Sequence, residues 1–298
     1  MKIVIFGAGA IGSLFGALLS KNNDVLLFGR KSHINKIKCS GLEIKGLTNL
    51  KVKIKAEFSY ENISFTPDLM ILTVKSYDTE AAIKQVKKII DNDTKILYLQ
   101  NGLDNIEKIS NHIKSEKLIA GTTTHGAFFS KPGIIEHTGM GMTVLGDVNK
   151  TNSNFLYNVI NFFNQAGIET KQSNNISEDI WNKAIINSSI NPLTAIFQCN
   201  NGYLLKNPIL EKLLENICIE STCIANAYGF DFSVDDMIQK TKNVIKNTAE
   251  NFSSMLQSLK KNKKTEIDSI NGKLAMIGKE YNIDTTLNDF IVHYIKSL

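Results

Sequence analysis

Lys183, Asn187 and Asn191 recur at steps of four inside an otherwise apolar stretch, DIWNKAIINSSINPLTAIF over residues 179–197. On a helix that spacing lines up an ammonium and two carboxamides on one side, while Trp181, Ile185, Ile186 and Ile190 supply packing faces. An unpaired buried amide costs roughly 1–3 kcal/mol and a buried ammonium more. The stripe therefore needs polar partners or a wet cleft, unless it is the polar side of an amphipathic helix facing bulk water. Pro192 removes one helical donor and is expected to bend the helix. Two later stretches add chemistry. AENFSSMLQSL (249–259) sets Asn251 and Ser254 one helical turn apart, an amide and a hydroxyl suited to an acidic ligand. In KKTEIDSING (263–272), Thr265 and Asp268 form a capping pattern that puts Glu266 in the first turn of a new helix. The helix dipole there favours an ionised Glu266 able to pair with a lysine, although a plain helix-start acid is the commoner use of such a residue. Lys260, Lys261, Lys263 and Lys264 read as a solvated turn.

The elements that must position these groups begin with a nucleotide-binding pattern. KIVIF (2–6) is a short apolar run, followed at once by GAGAIG and then by SLFGALLSK at helical spacing. In this strand, turn and helix context, the loop Gly7, Ala8, Gly9, Ala10, Ile11 and Gly12 fits a dinucleotide. Gly7 permits the tight turn, Gly9 lets a pyrophosphate approach the backbone, and Gly12 lets the helix pack on the strand. A tight turn between packed elements is the plainer alternative. The next strand, DVLLF (24–28), is followed by Gly29, Arg30 and Lys31, where a free ribose 2′-hydroxyl would call for an acid. A guanidinium binds a 2′-phosphate through forked, charge-assisted hydrogen bonds, so the expected cofactor is NADP(H), and the alternative is a surface arginine in a loop.

Further apolar runs at 69–74, 95–100 and 117–123 alternate with helical patterns at 79–90 and 103–113. That alternation predicts an α/β fold with a doubly wound, Rossmann-type parallel sheet, whose ligands sit beyond the carboxyl ends of the strands. Lys75, Asn101 and His125 fall at those ends. Asn101 can turn its carboxamide toward the nicotinamide ribose or the substrate. Lys75 reads equally as a cofactor contact or a solvated loop end. His125 reads as a satisfied structural histidine, because neither a carboxylate nor a serine partner is evident near it. Glycine-punctuated short strands, a helix over about 152–166 and a strand in GIETKQS complete the first half. From about residue 175 the pattern is nearly all helical. We therefore expect a dinucleotide-binding domain over 1–174 and an all-helical second domain over 175–298, joined by a compact junction of the kind that makes clefts.

Composition narrows the classes. With 298 residues, 43% of them hydrophobic, the chain can bury a full core, and its length favours two domains over one. It has no run of about 18 apolar residues, and MKIVIFGAGAIG enters its glycines without a cleavage site, so no membrane span and no signal peptide are expected. Cys39, Cys199, Cys218 and Cys223 form no CxxC pair, and the five histidines are not clustered with them or with each other in the sequence. Such cysteine usage suits a cytoplasmic protein and argues against a metal site. The net charge of +5 is spread among interleaved acids, which favours a solvated lysine-rich surface over a nucleic-acid partner.

The motifs GAGAIG, FGR, TVKSY, QNG, GTTTHGAF, WNKAIINSSINPLTA, NNGYL, AENFSSMLQ and TEIDSING together resemble the 2-dehydropantoate 2-reductase (ketopantoate reductase) family along nearly the whole chain. The resemblance implies NADPH-dependent reduction of 2-dehydropantoate to (R)-pantoate, on a Rossmann domain followed by a helical domain with the active site between them. It makes Lys183 the catalytic lysine and Glu266 the glutamate near cofactor and lysine. Substrate-binding amides fall on Asn187, Asn191 and Asn201, and Ser254 holds the substrate carboxylate with Asn251 nearby. Asn101 touches both cofactor and substrate. Arg30 recognises the 2′-phosphate, Lys75 is a cofactor-side lysine, and Ala127 gives a backbone contact to NADP. Gln100 stands where a histidine often precedes Asn-Gly, and Phe128 and Phe129 replace a more polar pair. The chain is expected to act as a monomer or homodimer on a small-molecule substrate, with no nucleic-acid or membrane partner. Two alternatives stay open: a reductase of another small 2-oxo acid, and an NADPH-sensing protein without turnover.

Overall fold

The computed structural model describes residues 1–149 and 153–298. In chain order the elements are β1 (Lys2–Phe6), α1 (Ala10–Leu19), β2 (Asp24–Phe28), α2 (Lys31–Ser40), β3 (Leu42–Gly46), β4 (Leu50–Val52), β5 (Lys55–Glu57), β6 (Leu69–Leu72), α3 (Thr79–Val86), β7 (Lys95–Tyr98), α4 (Asn105–Ser110), β8 (Leu118–Thr123), β9 (Gly126–Lys131), β10 (Ile134–Gly139), β11 (Thr143–Asp147), α5 (Asn154–Gln165) and β12 (Thr170–Gln172). The remainder is helical: α6 (Ile176–Ile196), α7 (Tyr203–Lys206), α8 (Pro208–Tyr228), α9 (Val234–Asn247), α10 (Ser254–Leu259), a π-helical turn at Asp268–Gly272, α11 (Lys273–Glu280) and α12 (Thr286–Ser297). Two compact units result. One comprises Met1–Gln100 with Asn105–Asp179, the other Asn101–Asp104 with Ile180–Leu298.

The first unit is built on an eight-stranded sheet in the order β12, β11, β8, β7, β6, β1, β2, β5. Its pairings are parallel except that β11 runs antiparallel to β8. The central strands are buried apolar runs, as a sheet covered on both faces requires. Chain order reverses between β1 and β6, which makes the carboxyl ends of those two strands the switch point of the sheet. A second sheet, in the order β4, β3, β10, β9, was not legible in the sequence. It packs on the far side of α1, so that helix lies between two sheets and all residues from Gly12 to Leu19 are buried. The predicted helix over 152–166 is found as α5, and the first residue of that prediction lies outside the described residues.

The second unit forms around α6. Ile190 and Leu193 enter one apolar cluster with Leu210, Leu214, Leu256 and Ile267, while Trp181 and Ile185 enter another with Ile224, Met237 and Leu274. Pro192 lies inside α6, and the hydroxyls of Ser188 and Ser189 donate back to the Ile185 carbonyl of the preceding turn. Among the described residues no helix is long and apolar enough to cross a membrane.

Candidate functional site

At the end of β1 the loop geometry leaves little choice of residue. Gly7 has φ of +118°, and a Cβ there would lie 2.5 Å from the Val74 nitrogen. A Cβ at Gly12 would lie 2.3 Å from the Gly7 oxygen and 2.4 Å from the Thr73 hydroxyl. Around Gly9, by contrast, only the Gly7 oxygen comes within 4 Å, at 3.9 Å. The turn is thus closed against the end of β6 and open above Gly9, beside the start of α1, where unpaired N–H groups and the helix dipole favour a phosphate. Sequence reasoning gave Gly12 the role of packing helix on strand. Gly16 is a second such position, where a Cβ would meet the Leu27 side chain at 2.5 Å and that of Ile5 at 3.2 Å. Gly12 abuts the turn and Thr73.

Beyond β2, Arg30 is the exposed N-cap of α2, and its guanidinium has no hydrogen-bond or ion-pair partner among the described residues. The nearby acid Glu57, paired in register with Phe28, is held by Lys38 at 2.7 Å. Lys75 is half-buried and its carbonyl accepts from the Asp78 N–H at 2.8 Å. Ala127 lies on β9, opposite His137 in the second sheet.

Three histidines of this unit are buried, and they are held by local contacts, although Nε2 of His125, expected to be satisfied, has no hydrogen-bond partner among the described residues. The Gly133 N–H donates to Nδ1 of His33, so the neutral ring carries its proton on Nε2 and donates to the Ser13 hydroxyl at 3.0 Å. Burial lowers the His33 pKa to about 4. His125 is buried as well, and its Nδ1 lies 3.2 Å from Nε2 of His137. Burial and then the neighbouring His137 lower its pKa to about 4. Two histidines twelve residues apart in the chain are therefore adjacent in space. Among the described residues no three His, Cys, Asp or Glu side chains converge as metal ligands.

In the second unit, Lys183 and Asn187 are half-buried on α6, and Asn191 is 7% exposed. The polar stripe therefore does not run out into bulk water. Among the described residues the carboxamides of Asn187, Asn191 and Asn251 and the hydroxyl of Ser254 have no hydrogen-bond partner. Neighbouring groups do the structural work. Ser253 caps α10 by accepting from the Leu256 N–H at 3.1 Å, and its Oγ also accepts from Thr194 of α6 at 2.7 Å. Asn201 donates from its backbone to the Asn251 carbonyl at 3.0 Å and from its side chain to Thr248 at 2.9 Å, leaving Oδ1 buried without a partner. Asn191, Asn201, Asn251 and Ser254 are thereby drawn to one end of α6. Thr194, Thr248 and Ser253 were missed in the sequence, where a Ser-Ser pair does not say which hydroxyl is used as the cap.

Glu266 is buried, and its Oε2 lies 3.5 Å from Nδ2 of Asn101. The expected capping of an α-helix by Thr265 is not formed. Thr265 Oγ1 accepts instead from the Ile267 N–H at 3.4 Å, Asp268 pairs with Lys296 of α12, and the Gly272 N–H reaches the Ile267 carbonyl at 2.9 Å. That wider bond makes the turn π-helical, a form common at functional sites. The Asn101–Asp104 segment docks on this turn through Leu103 N–H to the Ser269 carbonyl at 2.9 Å and the Ser269 hydroxyl to Asp104 at 3.1 Å. Asn101 and Glu266, 165 residues apart in the chain, meet for this reason.

A doubly wound sheet with a glycine loop at its switch point, followed by a helical unit presenting a lysine and unpartnered amides, is the build of a two-part nucleotide-dependent oxidoreductase. Comparison with known proteins gives the family. Residues 3–150 match the family model "Ketopantoate reductase PanE/ApbA", and residues 175–298 match "Ketopantoate reductase PanE/ApbA C terminal". The chain belongs to the ketopantoate reductase family. A 2-dehydropantoate 2-reductase of Pyrococcus horikoshii is 42% identical over 300 residues, spanning 100% of this chain and 97% of that protein. Among solved structures, D-mandelate dehydrogenase with NADH and anilino(oxo)acetate matches at a TM-score of 0.95 and 28% identity, covering 100% of this chain and 98% of that one. A PanE/ApbA family ketopantoate reductase from Ralstonia eutropha matches at 0.91 and 26%, covering 99% and 97%.

Proposed function

We propose that the chain reduces 2-dehydropantoate to (R)-pantoate with NADPH, in the cytoplasm. The observation that carries this reading is the set of groups without a hydrogen-bond partner among the described residues: the carboxamides of Asn187, Asn191 and Asn251, and the hydroxyl of the exposed Ser254, on or beside the helix bearing Lys183. Half-buried amides without partners are costly unless a polar ligand meets them. A hydroxylated 2-oxo acid does so. Its carboxylate is held by Ser254 and Asn251, and its other oxygens are met by Asn187, Asn191, Asn201 and Asn101.

The dinucleotide, when bound, supplies the hydride that reaches the ketone carbon. The loop from Gly7 through Ala8, Gly9, Ala10 and Ile11 to Gly12 holds its pyrophosphate, Arg30 its 2′-phosphate, and Lys75, Asn101, Ala127 and Glu266 its remaining contacts. The open space above Gly9 and the Arg30 guanidinium, unpaired among the described residues, fit such a group. As negative charge develops on the ketone oxygen, the Lys183 ammonium stabilises it by hydrogen bonding and then donates the proton that completes the hydroxyl. Glu266 orients that ammonium. Relatives bearing the name 2-dehydropantoate 2-reductase at 42%, 39% and 34% identity support the substrate.

A second reading, reduction of a bulkier 2-oxo acid with NADH, draws on the likeness to D-mandelate dehydrogenase with NADH. Steady-state kinetics with 2-dehydropantoate and an aryl 2-oxo acid, each with NADPH and NADH, separates the two. Preference for the aryl acid would replace the first reading by the second.

A further inference from the structure

In an α-helix the N–H of residue 192 would bond the carbonyl of residue 188, and Pro192 has no N–H. The Ser188 carbonyl, one residue beyond Asn187, is therefore deprived of its regular helical donor. Nδ2 of Asn271 donates to it at 3.0 Å. Because a carbonyl only accepts, this bond also fixes which way the Asn271 amide faces. The second hydrogen of the same nitrogen goes to Oδ1 of Asn288 at 2.9 Å. Asn288 in turn donates to Glu220 at 2.7 Å and to the Ser221 hydroxyl at 3.2 Å, and Ser221 lies 3.0 Å from the hydroxyl of Ser188. All five side chains are buried. They form a closed polar circuit joining α6, α8, α12 and the π-helical turn.

We infer that Asn271 is a positioning residue, which replaces the donor missing at Pro192 and so fixes the turn bearing Glu266 against the helix bearing Lys183 and Asn187. The inference rests on the catalytic reading of Lys183 and Glu266. Glu266 lies five positions before Asn271, and its backbone carbonyl accepts from the Ser269 and Ile270 N–H groups at 3.1 and 3.2 Å, so the turn moves as one piece. The neighbouring Ile267 shares an apolar cluster with Ile190. Apolar packing of that kind tolerates sliding, whereas a hydrogen bond to one particular carbonyl sets the register.

The circuit makes a specific claim about Pro192. Restoring an N–H at position 192 gives the Ser188 carbonyl a second donor and lessens its dependence on Asn271. The test compares the full chain as wild type, Asn271→Ala, Pro192→Ala and the double variant, by kcat and KM for NADPH and 2-dehydropantoate and by thermal unfolding. Asn271→Ala is expected to lower kcat by about 10-fold or more with a smaller rise in KM for NADPH, because of the proposed cofactor contacts only Glu266 and Asn101 lie on or against the turn that Asn271 fixes. Pro192→Ala alone should stay within about 3-fold of wild type, and the double variant should regain a substantial part of both kcat and unfolding midpoint. If Asn271→Ala accumulates as folded protein only together with Pro192→Ala, that is the same rescue. Equal losses in both backgrounds, failure to fold in both, or an unchanged kcat in Asn271→Ala overturns the inference. Wild-type protein that reduces no 2-oxo acid overturns the functional reading instead, a result distinct from intact wild-type turnover without rescue.

Discussion

The Thr73 hydroxyl donates to the Gly7 carbonyl at 2.7 Å, and that same carbonyl leaves no space for a Cβ at Gly12. The ends of β1 and β6 are thus locked together under the loop, while Gly9 stands clear of both. Different outcomes follow for two similar substitutions. Gly12→Ala should destabilise the fold by about 1–3 kcal/mol through overpacking and weaken NADPH binding with it. Gly9→Ala should leave the unfolding midpoint nearly unchanged and still weaken NADPH binding, since the added methyl points where phosphate is expected. Equal stability losses for the two, read by thermal unfolding with and without NADPH, would contradict this division.

Arg30 carries the cofactor preference. With its guanidinium unpaired among the described residues and Glu57 held by Lys38, Arg30→Ala should raise the Kd for NADPH by roughly 10- to 100-fold, the worth of a charge-assisted hydrogen bond, and leave that for NADH almost unmoved. Titration by nicotinamide fluorescence checks it. Parallel losses for both cofactors would remove Arg30 from 2′-phosphate recognition.

Lys183→Ala should lower kcat by a factor of about 10²–10⁴, as loss of a general acid does, with NADPH affinity nearly intact. A comparable loss in NADPH affinity, measured by direct binding, would assign the lysine to the cofactor.

The buried histidines set an acid limit on stability. Both His33 and His125 have folded-state pKa values near 4, below the ordinary value of about 6.5. Their neutral forms are favoured in the folded chain, so the stability they contribute is complete above about pH 6.5 and is lost as pH falls toward 4. The unfolding midpoint should drop by on the order of 5 °C across that window, and His33→Gln should flatten the slope. An unchanged slope in that variant would remove His33 from the linkage.

Much of this was legible from residue patterns because it is local. The strands at 2–6 and 24–28, the glycine loop and the stripe on α6 are each written within a few consecutive residues. The second sheet was not legible, since β3 pairs in parallel with β10 about ninety residues later and the short run LEIKG carries little apolar signal. The π-helical turn escaped for a related reason. A Thr-x-x-Asp pattern predicts an α-helical cap, but Asp268 is drawn to Lys296 on another helix, and the turn widens around Ile267. Asn271 and Asn288 likewise acquire their roles only when α6 and α12 are brought together.

The most direct test of the central claim is the oxidation of NADPH by the purified chain with and without 2-dehydropantoate, repeated with NADH and with Lys183→Ala. The account predicts rapid loss of reduced-nicotinamide absorbance only with the oxo acid and NADPH, and its near abolition in the variant. Tight NADPH binding without turnover of 2-dehydropantoate would contradict it, leaving the dinucleotide site standing and the substrate assignment rejected.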